Sequence, residues 1–311
     1  MAIDRSTIPT GPGKVLFDSA HIFSQDGINA TISKETFEVL VDAYGVVDQR
    51  LKDISVQVTL TPKMWKDLAV ILPYAAMNVG TSIFGAVDKP LVITPNNGQP
   101  LTIAAAAVTK LPSITLSTNK PILGSMEFSG MLANATEWAA AASRVSLGVA
   151  ASDVALTGFD LTKVPNYAYS AAIGTLAFET EDGFQIDFSL SLDDQPTDSQ
   201  GNIDKTLGTL TATCRCVPIG ITQDEILTAL AIQGTGVRRG ASIGGADLVI
   251  TGSEIGAPVV TLHGASLSQG GSIFQRGKKR AGEITFVTRR TVTTGVLGPL
   301  FEIGEVPDPE A

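Results

Sequence analysis

The sequence is short of the residues that do chemistry. Two cysteines, Cys214 and Cys216, and two histidines, His21 and His263, are all that its 311 residues contain. A metal site draws on more such ligands at closer spacing, so neither a metal nor a cofactor is expected. Cys214 and Cys216 stand two apart in an alternating stretch and point to one face. They read as buried, reduced thiols. No Gly-x-Gly-x-x-Gly occurs. Gly234-Thr235-Gly236, followed by Arg238, Arg239 and Gly240, lacks the Gly-Lys-Ser/Thr ending and the following helix of a phosphate loop. Asp193 and Asp194 have no acid or base partner that the sequence can place. The expectation is a protein without an enzymatic role.

Long apolar runs are also missing. No stretch approaches the roughly 20 residues of a membrane helix. The opening Met1-Ala2-Ile3-Asp4-Arg5 has no apolar signal region, so folding in a cytoplasm is expected. Basic excess is absent as well: 22 Lys and Arg face 31 Asp and Glu, a net charge of −9. A reader of nucleic acid needs a basic face, whereas a surface that nucleic acid slides past does not. Aromatics are only 6% of the chain, and sugar-binding β-sandwiches such as adhesins rely on exposed aromatics; Trp65 and Trp138 are the only tryptophans.

What is present is a repeat. Leu91-Val92-Ile93-Thr94 returns as Leu248-Val249-Ile250-Thr251, 157 residues on. Each is followed by a Gly/Pro turn and another strand, Pro100–Ile103 and Pro258–Thr261. Gly124…Phe128 returns as Gly282…Phe286, 158 residues on, and Pro62 as Pro218, 156 residues on. One near-constant offset means one domain written twice, and two copies of one surface favour rings.

Each copy reads as strands, one helix, then strands. Ile54–Leu60 alternates with period 2, placing Ile54, Val56, Val58 and Leu60 on one face and Ser55, Gln57 and Thr59 on the other. Leu210–Cys216 does the same, with Thr211, Thr213 and Arg215 outward. Thr61-Pro62 opens a helix carrying Trp65, Leu68, Ala69 and Leu72 on one stripe, and Pro73 is expected to end it. In the second copy Thr222 and Glu225 form a capping box ahead of Ile226, Leu227 and Leu230. Ile173–Phe178 reads as one strand, and Asp193–Lys205 reads as a long polar loop crossing a turn that is short in copy one. The layout is an N-terminal arm (1–12), a first domain (13–133), an Ala-rich, partly helical connector (134–168), a second domain (169–303) and a tail (304–311). The fold class is mainly β: two tandem sandwiches or barrels, each with one flanking helix.

Gly11-Pro12-Gly13-Lys14-Val15-Leu16-Phe17, the strand–helix unit ending in Trp65…Leu72-Pro73-Tyr74, and the repeated strands after it resemble the major tail tube proteins of long-tailed, non-contractile bacteriophages. The resemblance rests on element order, helix position and length over most of the chain. It implies a β-sandwich or barrel with one flanking helix, six such domains per ring, and stacked rings enclosing a DNA channel. A duplicated chain then resembles the rarer type in which three chains supply six domains. It also implies a place in the virion tail after assembly in the bacterial cytoplasm. The partners implied are further copies of the chain, a tape measure protein, a tail terminator and distal tail proteins, with DNA passing through without specific binding. A ring component of another injection system, a terminator or hub protein, and an adhesin are the alternatives.

The polar strand faces supply the expected channel lining: Glu38, Asp42, Ser55, Gln57 and Thr59 in copy one; Gln185, Asp187, Ser189, Thr211, Thr213 and Arg215 in copy two. Acidic side chains repel phosphate, and small neutral polar ones carry no charge to hold it. Asp193, Asp194 and Asp198 are expected to meet a basic knot, Arg276, Lys278, Lys279 and Arg280, of a neighbouring subunit or ring.

Overall fold

The computed structural model describes residues 10–18, 20–96, 98–118, 122–131, 144–149, 158–160, 163–164, 167–197, 201–219, 245–269, 273–274, 280–290, 292–293 and 296–308. The capping-box helix, Trp138, Asp198, Arg276, Lys278 and Lys279 lie outside them.

The first half contains β1 (Thr10–Phe17), β2 (Ala20–Ile22), β3 (Ser24–Val41) and β4 (Gly45–Pro62). After a helical segment come β5 (Lys89–Asn96), β6 (Leu101–Lys110), β7 (Ile114–Leu116), β8 (Ile122–Leu123), β9 (Met126–Met131) and β10 (Val145–Leu147). The second half contains β11 (Tyr169–Ile173), β12 (Leu176–Thr197), β13 (Gly201–Ile219), β14 (Ala246–Gly252) and β15 (Pro258–Gln269). The pieces β16 (Ile273–Phe274), β17 (Arg280–Ala281), β18 (Ile284–Val287), β19 (Val292–Thr293), β20 (Val296–Leu297) and β21 (Phe301–Glu305) follow.

Two antiparallel sheets result. One has eight strands in the order β2-β1-β5-β6-β9-β4-β3, with β10 on β6. The other has nine, β11-β14-β15-β18-β13-β12-β7-β8, with β21 on β15. Reading β1 as β11, β5 as β14, β6 as β15, β9 as β18, β4 as β13 and β3 as β12, the six central strands run in one order in both. In the second half β11 pairs with both β14 and β12, closing a six-stranded barrel. In the first half β2 pairs with β1, and only Phe23 separates it from β3. The correspondence extends to local defects. Register shifts fall after Ser24, Glu35 and Val39 in the first hairpin, and after Thr180, Ser191 and Gln195 in the second, each at the offset that separates Pro62 from Pro218. The first of these bulges holds Gly27 (φ +89°) in one half and Gly183 (φ +87°) in the other, conformations that glycine reaches without strain.

Four expectations are corrected. Pro73 does not end the helix: a 3-10 turn over Trp65–Ile71 passes into α1 (Leu72–Ala75), where Pro73 occupies the first turn and needs no N–H. Ile173–Phe178 is not one strand, because Gly174 turns the chain at φ +58° between β11 and β12. Within the stretch read as a connector, Val145–Leu147 is a strand on β6. Asp193–Lys205 is not a loop: its ends are paired strand.

The core is continuous. Val58 and Phe128 of the first sheet, Cys214 and Phe286 of the second, and Leu68, Ile71 and Tyr74 of the helical segment belong to one buried cluster. The inward residues of β4, namely Ile54, Val56, Val58 and Leu60, are all buried, as the alternation requires.

Candidate assembly and channel surfaces

The polar faces of β4 and β13 are where alternation places them. Ser55, Gln57, Thr211 and Arg215 are exposed, and Thr59 and Thr213 half-buried. Their neighbours across the sheet extend the surface. Gln57 Nε2 donates to Glu127 Oε1 at 3.2 Å, and the Thr109 and Ser129 hydroxyls lie 3.0 Å apart. Glu127 stands between buried Met126 and Phe128, so the same period-2 argument could have found it, whereas Ser129 is itself buried. In the second sheet Gln185 Nε2 donates to Asp187 at 3.2 Å, and Arg215 Nη2 to Asp187 Oδ2 at 2.5 Å. That bond with the Asp187 carboxylate holds the Arg215 guanidinium more firmly charged than usual. Ser189 pairs with Thr211 beside this cluster. The structure therefore gathers Gln185, Asp187, Thr213 and Arg215 into one patch whose charges cancel locally. Glu38 and Asp42 lie elsewhere, at the far end of the first hairpin.

The two hairpins have equal length and unlike surfaces. Leu40 pairs with Val46 and Val41 with Gly45; at the equivalent places Pro196 pairs with Asn202 and Thr197 with Gly201. Copy two has no extra loop. The first tip is apolar and open to solvent: Leu40 is 69% exposed, Tyr44 81%, and Val46 and Val47 about half. The second is polar and partly self-neutralised. Asp194 makes an ion pair with Lys205 across its own hairpin, and that bond holds its carboxyl below the usual range. Asp193 is paired along the ladder with Thr206. Arg280 lies on β17, opposite Phe274.

The joint between the halves runs one way. β7 and β8 belong to the first half by sequence, yet β7 pairs with β12: Leu116 faces Phe184, Thr115 Gln185 and Ile114 Ile186. Further along the hairpin, Gly80 N donates to Leu207 O at 2.7 Å, Leu207 N to Thr81 O at 2.9 Å and Ile83 N to Lys205 O at 2.9 Å. Near α1, Leu300 N donates to Ala75 O at 2.9 Å. Arg290 holds Ala75 O and Asn78 Oδ1 at 3.2 and 3.3 Å. No local sequence signal marks this joint, because backbone pairing carries it.

The chemistry on offer is that of surfaces. Among the described residues no three His, Cys, Asp or Glu side chains cluster as metal ligands. Cys214 and Cys216 are unbridged and buried; burial pushes the first thiol far up and the second to about 12, so neither is a ready nucleophile. No helix among these residues is long and apolar enough to cross a membrane.

No protein-family description matches the chain, and no curated protein does. A solved structure similar to it is a chain from the cryo-EM structure of the anti-feeding prophage (AFP) baseplate, 6-fold symmetrised. The two are 10% identical with a TM-score of 0.26, over 49% of this chain and 99% of that one. A likeness that slight carries no functional weight.

Proposed function

We propose that this chain is a structural subunit of a phage-type tail tube, in which three chains supply six sheets to a ring and stacked rings enclose a passage for DNA. One observation carries the reading: a single chain holds one sheet twice, with the same strand order and the same three hairpin bulges at one constant offset. Duplicated, equivalent surfaces build pseudo-symmetric rings with half the usual number of chains. In this reading the polar faces around Gln57 and Arg215 line the passage. Their local charge cancellation leaves no cationic groove to hold phosphate. The exposed apolar tip at Leu40, Tyr44, Val46 and Val47 takes the stacking contact between rings. The tip around Asp193 and Asp194 takes a lesser part, since Asp194 is already paired. The tape measure, terminator and distal tail proteins would then meet the ends of the tube. The protein needs no cofactor and catalyses nothing.

Electron microscopy and native mass measurement of the purified chain test this. The expected result is rings of pseudo-sixfold outline with three times the 32.4 kDa chain mass, alone or stacked. A ring containing six chains, or a monomer at every concentration, refutes it.

A further inference from the structure

We propose that the outer edge of β3, at Ile28–Ala30, receives the β16–β17 hairpin of a second copy of this chain, reproducing between chains the seam that β7 makes with β12 inside one. The proposal names the contact surface of the ring reading above and rests on it.

Within the chain the first half gives and the second receives. The giving element, β7–β8, stands between β6 and β9 in sequence. Its counterpart between β15 and β18 is β16–β17, a two-residue antiparallel pair that joins no larger sheet among the described residues. The receiving positions Phe184, Gln185 and Ile186 have Ile28, Asn29 and Ala30 as their counterparts in the first half. There β3 ends the strand order of its sheet, and among the described residues no strand lies on its outer side. Among the described residues, then, β16–β17 is paired to no larger sheet and the outer edge of β3 carries no strand.

The exposures agree. Ile186 and Phe184, under β7, are fully buried; Ala30 is exposed and Ile28 half-buried. Leu207, under the Gly80–Ile83 segment, is 1% exposed, whereas its counterpart Leu51 is 38% exposed. The paired glycines show the same difference in atomic detail. A Cβ on Gly183 would collide with the Leu116 carbonyl oxygen at the end of β7, while one on Gly27, in the same conformation, would meet nothing within 4 Å. Among the described residues, nothing in the first half fills the space that β7 fills in the second.

An unpaired strand edge with apolar neighbours is a template for strand addition. The giving and receiving surfaces differ, so the contact is head-to-tail and repeats from chain to chain until a ring closes. By the same equivalence Asn29 pairs with Ile273 of the next chain.

The test uses the full chain with Asn29→Cys and Ile273→Cys together. Cα atoms facing each other across an antiparallel pair lie within disulfide reach, and the native thiols are buried. After mild oxidation of assembled protein, the double variant is expected to run as covalent multimers on a non-reducing gel, and each single variant as one chain. A second variant, Leu51→Glu, is expected to melt like the parent chain yet lose assembly at concentrations where the parent forms rings. If the parent forms rings but the cysteine pair stays unlinked and Leu51→Glu assembles normally, this surface is wrong and the ring reading stands. Linkage by Asn29→Cys alone means that like meets like, and overturns the head-to-tail contact. A parent chain that never assembles overturns both proposals.

Discussion

In β3–β4 the outward residues near the tip are Phe37, Leu40, Val41, Val46 and Val47; in β12–β13 the same places hold Asp193, Pro196, Thr197, Asn202 and Ile203. The backbone beneath them is unchanged, with three register shifts at matching positions and the turn at the same distance. Register is fixed by the inward alternation of Val56, Val58 and Leu60 in one half and Ala212, Cys214 and Cys216 in the other, and by the glycine bulges. The outward residues are free of that constraint. Both tips are exposed; what the chain covers in the second hairpin alone lies at Phe184–Ile186, under β7, and at Leu207, beside the Gly80–Ile83 segment.

The largest contrast is expected when the same charge is put under both hairpins. Leu207→Glu places a carboxylate beneath the Gly80–Ile83 segment and should cost about 4 kcal/mol or more. Leu51→Glu, at the equivalent place, should change the stability of the unassembled chain by less than about 0.5 kcal/mol. Urea denaturation of both variants checks this, and equal losses would mean that Leu51 is already covered.

A second difference lies in the helical segment. Asp67 is 5% exposed and accepts a hydrogen bond from Phe23 N at 3.1 Å; its counterpart in the second copy is Gln223, without charge. Burial, partly offset by bonds from the Phe23 and Met64 amides, lifts the Asp67 carboxyl to about 6. The folded chain therefore binds that proton more tightly than the unfolded chain, whose carboxyl titrates near the ordinary 3.8. Its contribution is fully present below about pH 4 and is lost as pH rises through about 6, by at most about 3 kcal/mol. Asp67→Asn keeps the acceptor and removes the titration. It should become more stable than the parent at neutral pH and lose that margin in mild acid, near the ordinary carboxyl value. A stability difference that stays constant across this range would contradict the assignment.

The smallest expected effect concerns the two bulge glycines. Gly27→Ala meets only the backbone penalty of positive φ, about 1–2 kcal/mol. Gly183→Ala adds the collision with the Leu116 carbonyl and should cost about 2 kcal/mol more. Thermal melts of the two variants measure the difference. Equal shifts would show that β7 gives way freely, and Gly27 would then no longer mark an open edge.

Much of this fold is legible in the sequence. The repeat shows in Leu91–Thr94 and Leu248–Thr251, and the faces of β4 and β13 follow from strict alternation. The second hairpin reads as a loop because Asp-Asp-Gln-Pro-Thr-Asp is turn-forming chemistry, while the first tip, Phe37-Glu38-Val39-Leu40-Val41, looks like strand. Both are strand, since pairing with Lys205–Leu207 or with Gln49–Leu51 outweighs local preference. Pro73 reads as a stop because a proline in the first turn and one past the last turn look alike until the helix is placed. The crossing of β7 onto β12 has no local signal, because backbone amides pair without regard to side chain.

The seam at Gly80–Ile83 and β7 has a kinetic consequence. Tethered partners meet at an effective concentration in the millimolar range for a short linker. In a ring of three such chains, half of the contacts form during folding and never depend on protein concentration. Only three contacts remain, and each joins bodies that are already correctly paired within themselves. Rings would then form at dilutions where six separate domains would stay apart, and a chain with a faulty seam would be lost as misfolded protein before it could enter a ring.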